Sequence, residues 1–144
     1  MNEVIHIIEN KTVPAFSVAL TFAVICAGGD ETLKAILKAY ACHLGIAYQL
    51  LDDLEDFQSE TNIQLRPTSV LAAICEDMGL TNGVYVQDDI CALINKNKSL
   101  PERAKTRISA MVETYRQQAF DSLAPLKNTA LKQLLFRITK KVLK

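Results

Sequence analysis

Glycine and proline are scarce in this 144-residue chain, at 5 and 4 residues, while 49% of it is hydrophobic. So few breakers against so much apolar content exclude a disordered segment and point to helices. Charge of one sign is also missing. Sixteen basic side chains balance sixteen acidic ones, which implies no broad basic surface for nucleic acid. Histidine and cysteine are few: two His, and Cys26, Cys42, Cys75 and Cys91 with no C-x-x-C among them. That spacing makes neither a zinc site nor a disulfide framework, and buried free thiols of a reducing cytoplasm fit it better. No run alternates convincingly at period 2, no fixed repeat recurs, and no cationic leader with a cleavage site opens the chain. The length suits one domain, 1–144, able to bury a proper core.

What is present is a succession of helical patterns. Residues 1–10 read as the end of a helix, and Pro14 suits the first turn of the next. That second helix runs to about Ala27 and meets a stop signal at Gly28-Gly29. Thr12 to Gly29 are 18 uncharged residues, the low edge of a membrane span. Thr12, Pro14, Ser17, Thr21 and the two glycines shorten its apolar part, so we expect the buried central helix of a bundle, not a spanning segment. Asp30 is a good N-cap, with Glu31 in the first turn of a long helix. Leu33, Ile36, Leu37, Tyr40, Leu44 and Tyr48 mark that helix at helical spacing. Residues 58–66 break the pattern as a polar, mobile loop. Short helices are expected over Ser69 to about Asp77, ended by Met78-Gly79, and from Thr81 or Asn82 to about Asn97. Ser99-Leu-Pro-Glu102 matches a capping box ahead of an amphipathic helix to about Leu123. Pro125 separates that helix from a last, basic one over Asn128 to Val142.

The long helix carries the chemistry. In Gly45-Ile-Ala-Tyr-Gln-Leu-Leu-Asp-Asp-Leu-Glu-Asp-Phe57, the residues Gln49, Asp52, Asp53 and Asp56 follow an i, i+3, i+4, i+7 pattern and share one face. Glu55 points away from it. Carboxylates one turn apart repel unless a cation lies between them, and oxygen-only ligands favour a hard divalent ion such as Mg²⁺. A solvated acidic face is the plainer alternative. Against it, Leu50, Leu51, Leu54 and Phe57 surround the acids, and Gly45 and Ala47 keep the preceding turn thin. Lys11-Thr12 stands about 41 residues before Asp52, which lets an antiparallel helix pair bring it to the acidic end. A lysine and a helix N-terminus facing a Mg²⁺-carboxylate cluster would hold a diphosphate from both sides.

With these residues in place, the chain resembles the trans-isoprenyl diphosphate synthases, or polyprenyl synthetases. Lys11-Thr12, the helix ending in Gly28-Gly29-Asp30, and the Gly45–Asp56 stretch carry the resemblance. The last is similar to the family's second aspartate-rich motif, G-x-x-F-Q-x-x-D-D-x-x-D, with Tyr48 in place of Phe. The resemblance implies an all-α bundle of the isoprenoid synthase type and Mg²⁺-dependent head-to-tail condensation of an allylic diphosphate with isopentenyl diphosphate. It implies Asp52, Asp53 and Asp56 as metal ligands and Lys11 on the allylic diphosphate. It places Thr12 and Gln49 near the cationic centre, which their oxygen dipoles stabilise, and Tyr48 at the isopentenyl site.

The resemblance covers only the C-terminal half of a family member. The first aspartate-rich motif, with its basic residues for isopentenyl diphosphate, would belong upstream of residue 1. Asp88-Asp89 does not replace it, since no third acid follows. The family's Gly-Lys stretch after the second motif is also missing, and only Arg66 offers a positive charge there. The chain is therefore expected to be a cytoplasmic fragment or half-subunit of a prenyltransferase, inactive alone. Apolar faces such as Val13 to Ile25 would drive it into a homo-oligomer or onto a partner chain supplying the other half. A non-catalytic regulatory or structural subunit of a full-length synthase is the alternative. A bundle with no ligand would explain the helices but not the motif.

Overall fold

A computed structural model describes residues 1–59, 70–79 and 99–144, the side chains at 56–59 and 101 excepted. The chain is all-α: the described residues form six helices and no strand. We label them α1 (Asn2–Lys11), α2 (Val13–Cys26), α3 (Glu31–Ser59), α4 (Val70–Asp77), α5 (Leu100–Ser122) and α6 (Thr129–Val142). The helix expected near 81–97, the connection beyond Ser59, Arg66, Asp88-Asp89 and Cys91 lie outside the described residues.

The turns follow local chemistry. Pro14 has no N–H and its ring collides with the preceding turn, so the chain bends by 43° between α1 and α2 instead of continuing straight. At the far end of α2, Gly28 takes φ +66°. Gly29 N–H then reaches the Val24 carbonyl at 2.9 Å and Gly28 N–H the Ile25 carbonyl at 3.1 Å, the paired closure of a Schellman motif. Asp30 caps α3 as its position predicts, Oδ1 accepting from Leu33 N–H at 2.7 Å. Asn128 does the same for α6, accepting from Leu131 N–H at 3.0 Å. The capping box at Ser99 does not form. Ser99 has helical φ, ψ of −87°, −13° and its side chain makes no capping bond, because a cap needs extended geometry to aim its oxygen back at the turn.

α3 is the spine. Along its C-terminal half Ile46, Leu50 and Leu54 join α1, α4 and the first half of α5 in one core. Along its N-terminal half Leu37, Tyr40 and Leu44 join Val24, Ala119, Leu123 and Leu135 in a second. Tyr40, 1% exposed, ties α3 to α6, its hydroxyl lying 2.9 Å from Thr139 Oγ1. Burial raises that phenol's pKa, so it stays a neutral hydrogen-bonding group.

Two expectations are corrected here. α2 is not a helix buried all round: Val18, Phe22 and Ile25 are each at least 60% exposed, because among the described residues only one side of α2 meets a neighbour. The thiols are free at Cys26, Cys42 and Cys75 but not uniformly buried, since Cys26 is exposed. Among the described residues no single helix is long and apolar enough to cross a membrane, although α1 and α2 pass that test together as a bent pair.

Candidate functional site

α2 and α3 run antiparallel through the Gly28–Asp30 turn, so the start of α2 returns to the middle of α3. How closely they approach is set at Gly45. A Cβ on Gly45 would lie 3.1 Å from Val13 Cα and 3.3 Å from Phe16 Cδ2, and both distances are tighter than ordinary packing. A side chain at 45 would wedge the two helices apart, and glycine lets the backbones meet here.

That approach closes the site. Thr12 Oγ1 donates to Gln49 Oε1 at 2.7 Å, across 37 residues of sequence. Gln49 Nε2 in turn donates to Asp53 Oδ1 at 2.9 Å and to Asp52 Oδ2 at 3.3 Å. Thr12 and the acidic face, separate in sequence, are thus joined by hydrogen bonds through Gln49. Lys11 is exposed at the last position of α1. Asp52 is exposed and Asp53 half-buried on the same face, while Glu55 is exposed off that stripe. Tyr48, 39% exposed, rests its ring against Phe16 with centroids 5.6 Å apart at 56°. Phe16 escaped the sequence reading. Its signal was Gly45, because a glycine inside a helix marks a close neighbour.

Below the polar face the helix is dry. Leu50 is wholly buried and Leu54 is 7% exposed, so the acids sit on a packed floor and not on a frayed helix end. Among the described residues no three His, Cys, Asp or Glu side chains converge in a metal-binding group. The third acid of the stripe, Asp56, has its side chain outside the described residues, as does Arg66.

The donor set suits a hard divalent cation. Two neighbouring carboxylates turn oxygens to one point, and the group at that point is the positive end of an amide dipole. Their carboxylate oxygens are donors of the kind that Mg²⁺ takes.

The polyprenyl synthetase family model matches residues 1–69. The chain is 41% identical over 56 residues to octaprenyl diphosphate synthase of Haemophilus influenzae, a stretch covering 39% of this chain and 17% of that protein. It is also 26% identical over 149 aligned positions to heptaprenyl diphosphate synthase component 2 of Bacillus subtilis, covering 92% of this chain and 42% of that protein. The chain thus spans less than half the length of either relative. No solved structure matches it.

Proposed function

We propose, from the premise that residues 1–69 belong to the polyprenyl synthetase family, that this chain carries the second acidic half of a prenyl diphosphate synthase site. It corresponds to the C-terminal half of such an enzyme. The reaction class is head-to-tail prenyl transfer. The carbon–oxygen bond of an allylic diphosphate breaks, with its electron pair leaving on the diphosphate. The double bond of isopentenyl diphosphate then forms the new carbon–carbon bond to the allylic carbon, and a proton is lost from the neighbouring carbon.

The observation that carries the reading is the hydrogen bond from Thr12 to Gln49. It joins Thr12 to the acidic face, and Lys11 is the residue before Thr12. Asp52, Asp53 and Asp56 would hold Mg²⁺, which when bound neutralises a diphosphate as it departs. Lys11 binds a phosphate oxygen from the opposite side. Arg66, further along the sequence, is the candidate for an added positive charge on the substrate. Tyr48, steadied by Phe16, gives the isopentenyl side a firm aromatic wall.

One acidic motif grips a diphosphate poorly, because the family's site uses two facing sets of ligands. The complementary set comes from outside these residues, from further sequence of the same protein or from a partner chain. A relative named as a synthase component aligns with 92% of this chain, which supports work within an assembly. It also keeps open a second reading, a regulatory or structural subunit that retains the site without turnover.

Calorimetric titration with inorganic pyrophosphate, with and without Mg²⁺, tests the site. We expect binding only with Mg²⁺, lost in Asp52→Asn/Asp53→Asn. Mg²⁺-independent binding, or none, refutes the site. Mass-spectrometric detection of condensation product, from the chain alone and from the chain with its co-purified partner, separates the enzymatic reading from the regulatory one.

A further inference from the structure

The balance of charge over the whole chain conceals a local imbalance. Residues 123–144 hold six of its sixteen basic side chains and none of its sixteen acidic ones. The six are Lys127, Lys132, Arg137, Lys140, Lys141 and Lys144, and none of them makes an ion pair among the described residues. Lys140 and Lys141 complement the C-terminal end of α6, where unpaired helix carbonyls favour a cation. Lys127 and Lys132 stand at its start, where the helix dipole disfavours one, so end effects do not account for the set.

α6 is firmly held by its inner face. Leu135 and Thr139 are buried, Phe136 meets Phe120 edge to face with centroids 4.9 Å apart, and Asn128 caps the first turn. On the outer face Leu134 is 46% and Ile138 38% exposed. Arg137 and Lys141, both exposed, follow these two by three residues each, which sets the four side by side along the helix. The other large apolar side chains exposed among the described residues lack such neighbours. Val18, Phe22 and Ile25 lie on α2, a helix with no charged residue, and Tyr48 stands one turn before Asp52.

We propose that the outer face of α6 docks on an anionic lipid bilayer surface. Leu134 and Ile138 enter the boundary between headgroups and acyl chains, Arg137 and Lys141 meet lipid phosphates, and Lys140 and Lys144 add charge near the surface. A bilayer offers phosphate and hydrocarbon within about 10 Å of depth, which is the width of one helix. Interleaved aliphatic and basic side chains match that layering, whereas the uncharged face of α2 has nothing to offer an anionic headgroup. Nothing in this surface involves Thr12, Gln49 or the acids, so it does not rest on the diphosphate site.

The test uses the full chain and vesicles of phosphatidylcholine, with or without phosphatidylglycerol. The chain has no tryptophan, so Leu134→Trp introduces a single reporter. Its emission should move to shorter wavelength with the mixed vesicles, stay in place with phosphatidylcholine alone, and return at high salt. In co-sedimentation, Arg137→Gln/Lys141→Gln should weaken binding to the mixed vesicles by about thirtyfold, the factor for two surface cations. Arg103→Gln/Lys105→Gln removes the same charge from exposed positions near the start of α5 and should leave that binding unchanged. No binding to the mixed vesicles, equal binding to both kinds, or equal weakening by the two double variants overturns the proposal. Absence of vesicle binding together with a smaller sedimenting species for Arg137→Gln/Lys141→Gln would mark this face as a contact between chains instead.

Discussion

α2 and α3 are neighbours joined by a four-residue connection, both rich in apolar residues, and they are buried in opposite degrees. α2 carries no charged side chain over its 14 residues, and of these only Val24 is buried. α3 carries lysines and acids, yet Leu37, Tyr40, Ala41, Leu44, Ile46, Ala47 and Leu50 are all at most 4% exposed. Hydrophobicity sets what a helix can bury, and the surrounding elements decide what it does bury. α3 has helices on several sides because its apolar residues form a face and its polar ones another. α2 has no such division, so one side packs on α3 and the rest presents Val18, Phe22 and Ile25 outward. An exposed apolar face of that kind marks a surface of association.

Truncation should separate the two helices most sharply. Leu50→Ala leaves a cavity under the acidic face and is expected to cost about 3 kcal/mol, whereas Phe22→Ala should change the stability of the dissociated chain, measured at high dilution, by no more than about 0.5 kcal/mol. Urea unfolding of both variants decides it, and equal losses would mean that α2 is covered in solution as fully as α3. Next in size is the seam between them. Gly45→Val forces its side chain against Val13 and Phe16 and should cost about 2 kcal/mol. It should also weaken Mg²⁺-dependent pyrophosphate binding, because Thr12 moves off Gln49. Full stability with unchanged binding would mean that the close approach is dispensable.

The outer face of α2 gives a contrast in association instead of stability. We expect the chain to sediment as an assembly, and Val18→Ser/Phe22→Ser to sediment as a smaller species whose unfolding midpoint no longer depends on protein concentration. A wild-type monomer would remove the association reading. The smallest effect is one of pH on the opposite side of α3, where His43 Nδ1 lies 2.9 Å from Ser122 Oγ. Burial lowers the His43 pKa from 6.5, with the Gln118 backbone pulling the other way. The unfolded chain then takes up the proton first as pH falls. Stability from this group is therefore whole above about pH 6.5 and declines below it. The difference between wild type and His43→Asn should appear only under that pH, and a difference that grows above it would contradict the burial.

Much of this was legible in the residues. Gly28 and Asp30 announced their turn because each has a single local job, a left-handed backbone and a side-chain cap. The helical spacing of Gln49, Asp52 and Asp53 put them on one face, and the 41-residue offset of Lys11 from Asp52 implied the antiparallel return. What stayed hidden depends on neighbours or on torsions that no pattern encodes. Ser99 carries the letters of a capping box but adopts helical angles. The apolar run of α2 tells nothing of what lies beside it. A helical wheel places Gln49 on the acidic face, yet the direction of its amide follows from the Thr12 hydroxyl on one side and the two carboxylates on the other.

In the site proposed above, the Lys11-Thr12 junction of α1 and α2 and the acidic face of α3 grip one diphosphate. A double-mutant cycle of Lys11→Ala and Asp53→Asn, read as pyrophosphate affinity at saturating Mg²⁺, tests it most directly. Two groups acting on one ligand should couple by about 1 kcal/mol or more, so that the double variant is less impaired than the sum of the singles. Effects that add to within about 0.5 kcal/mol would mean that the two ends act apart, and the single site would be contradicted.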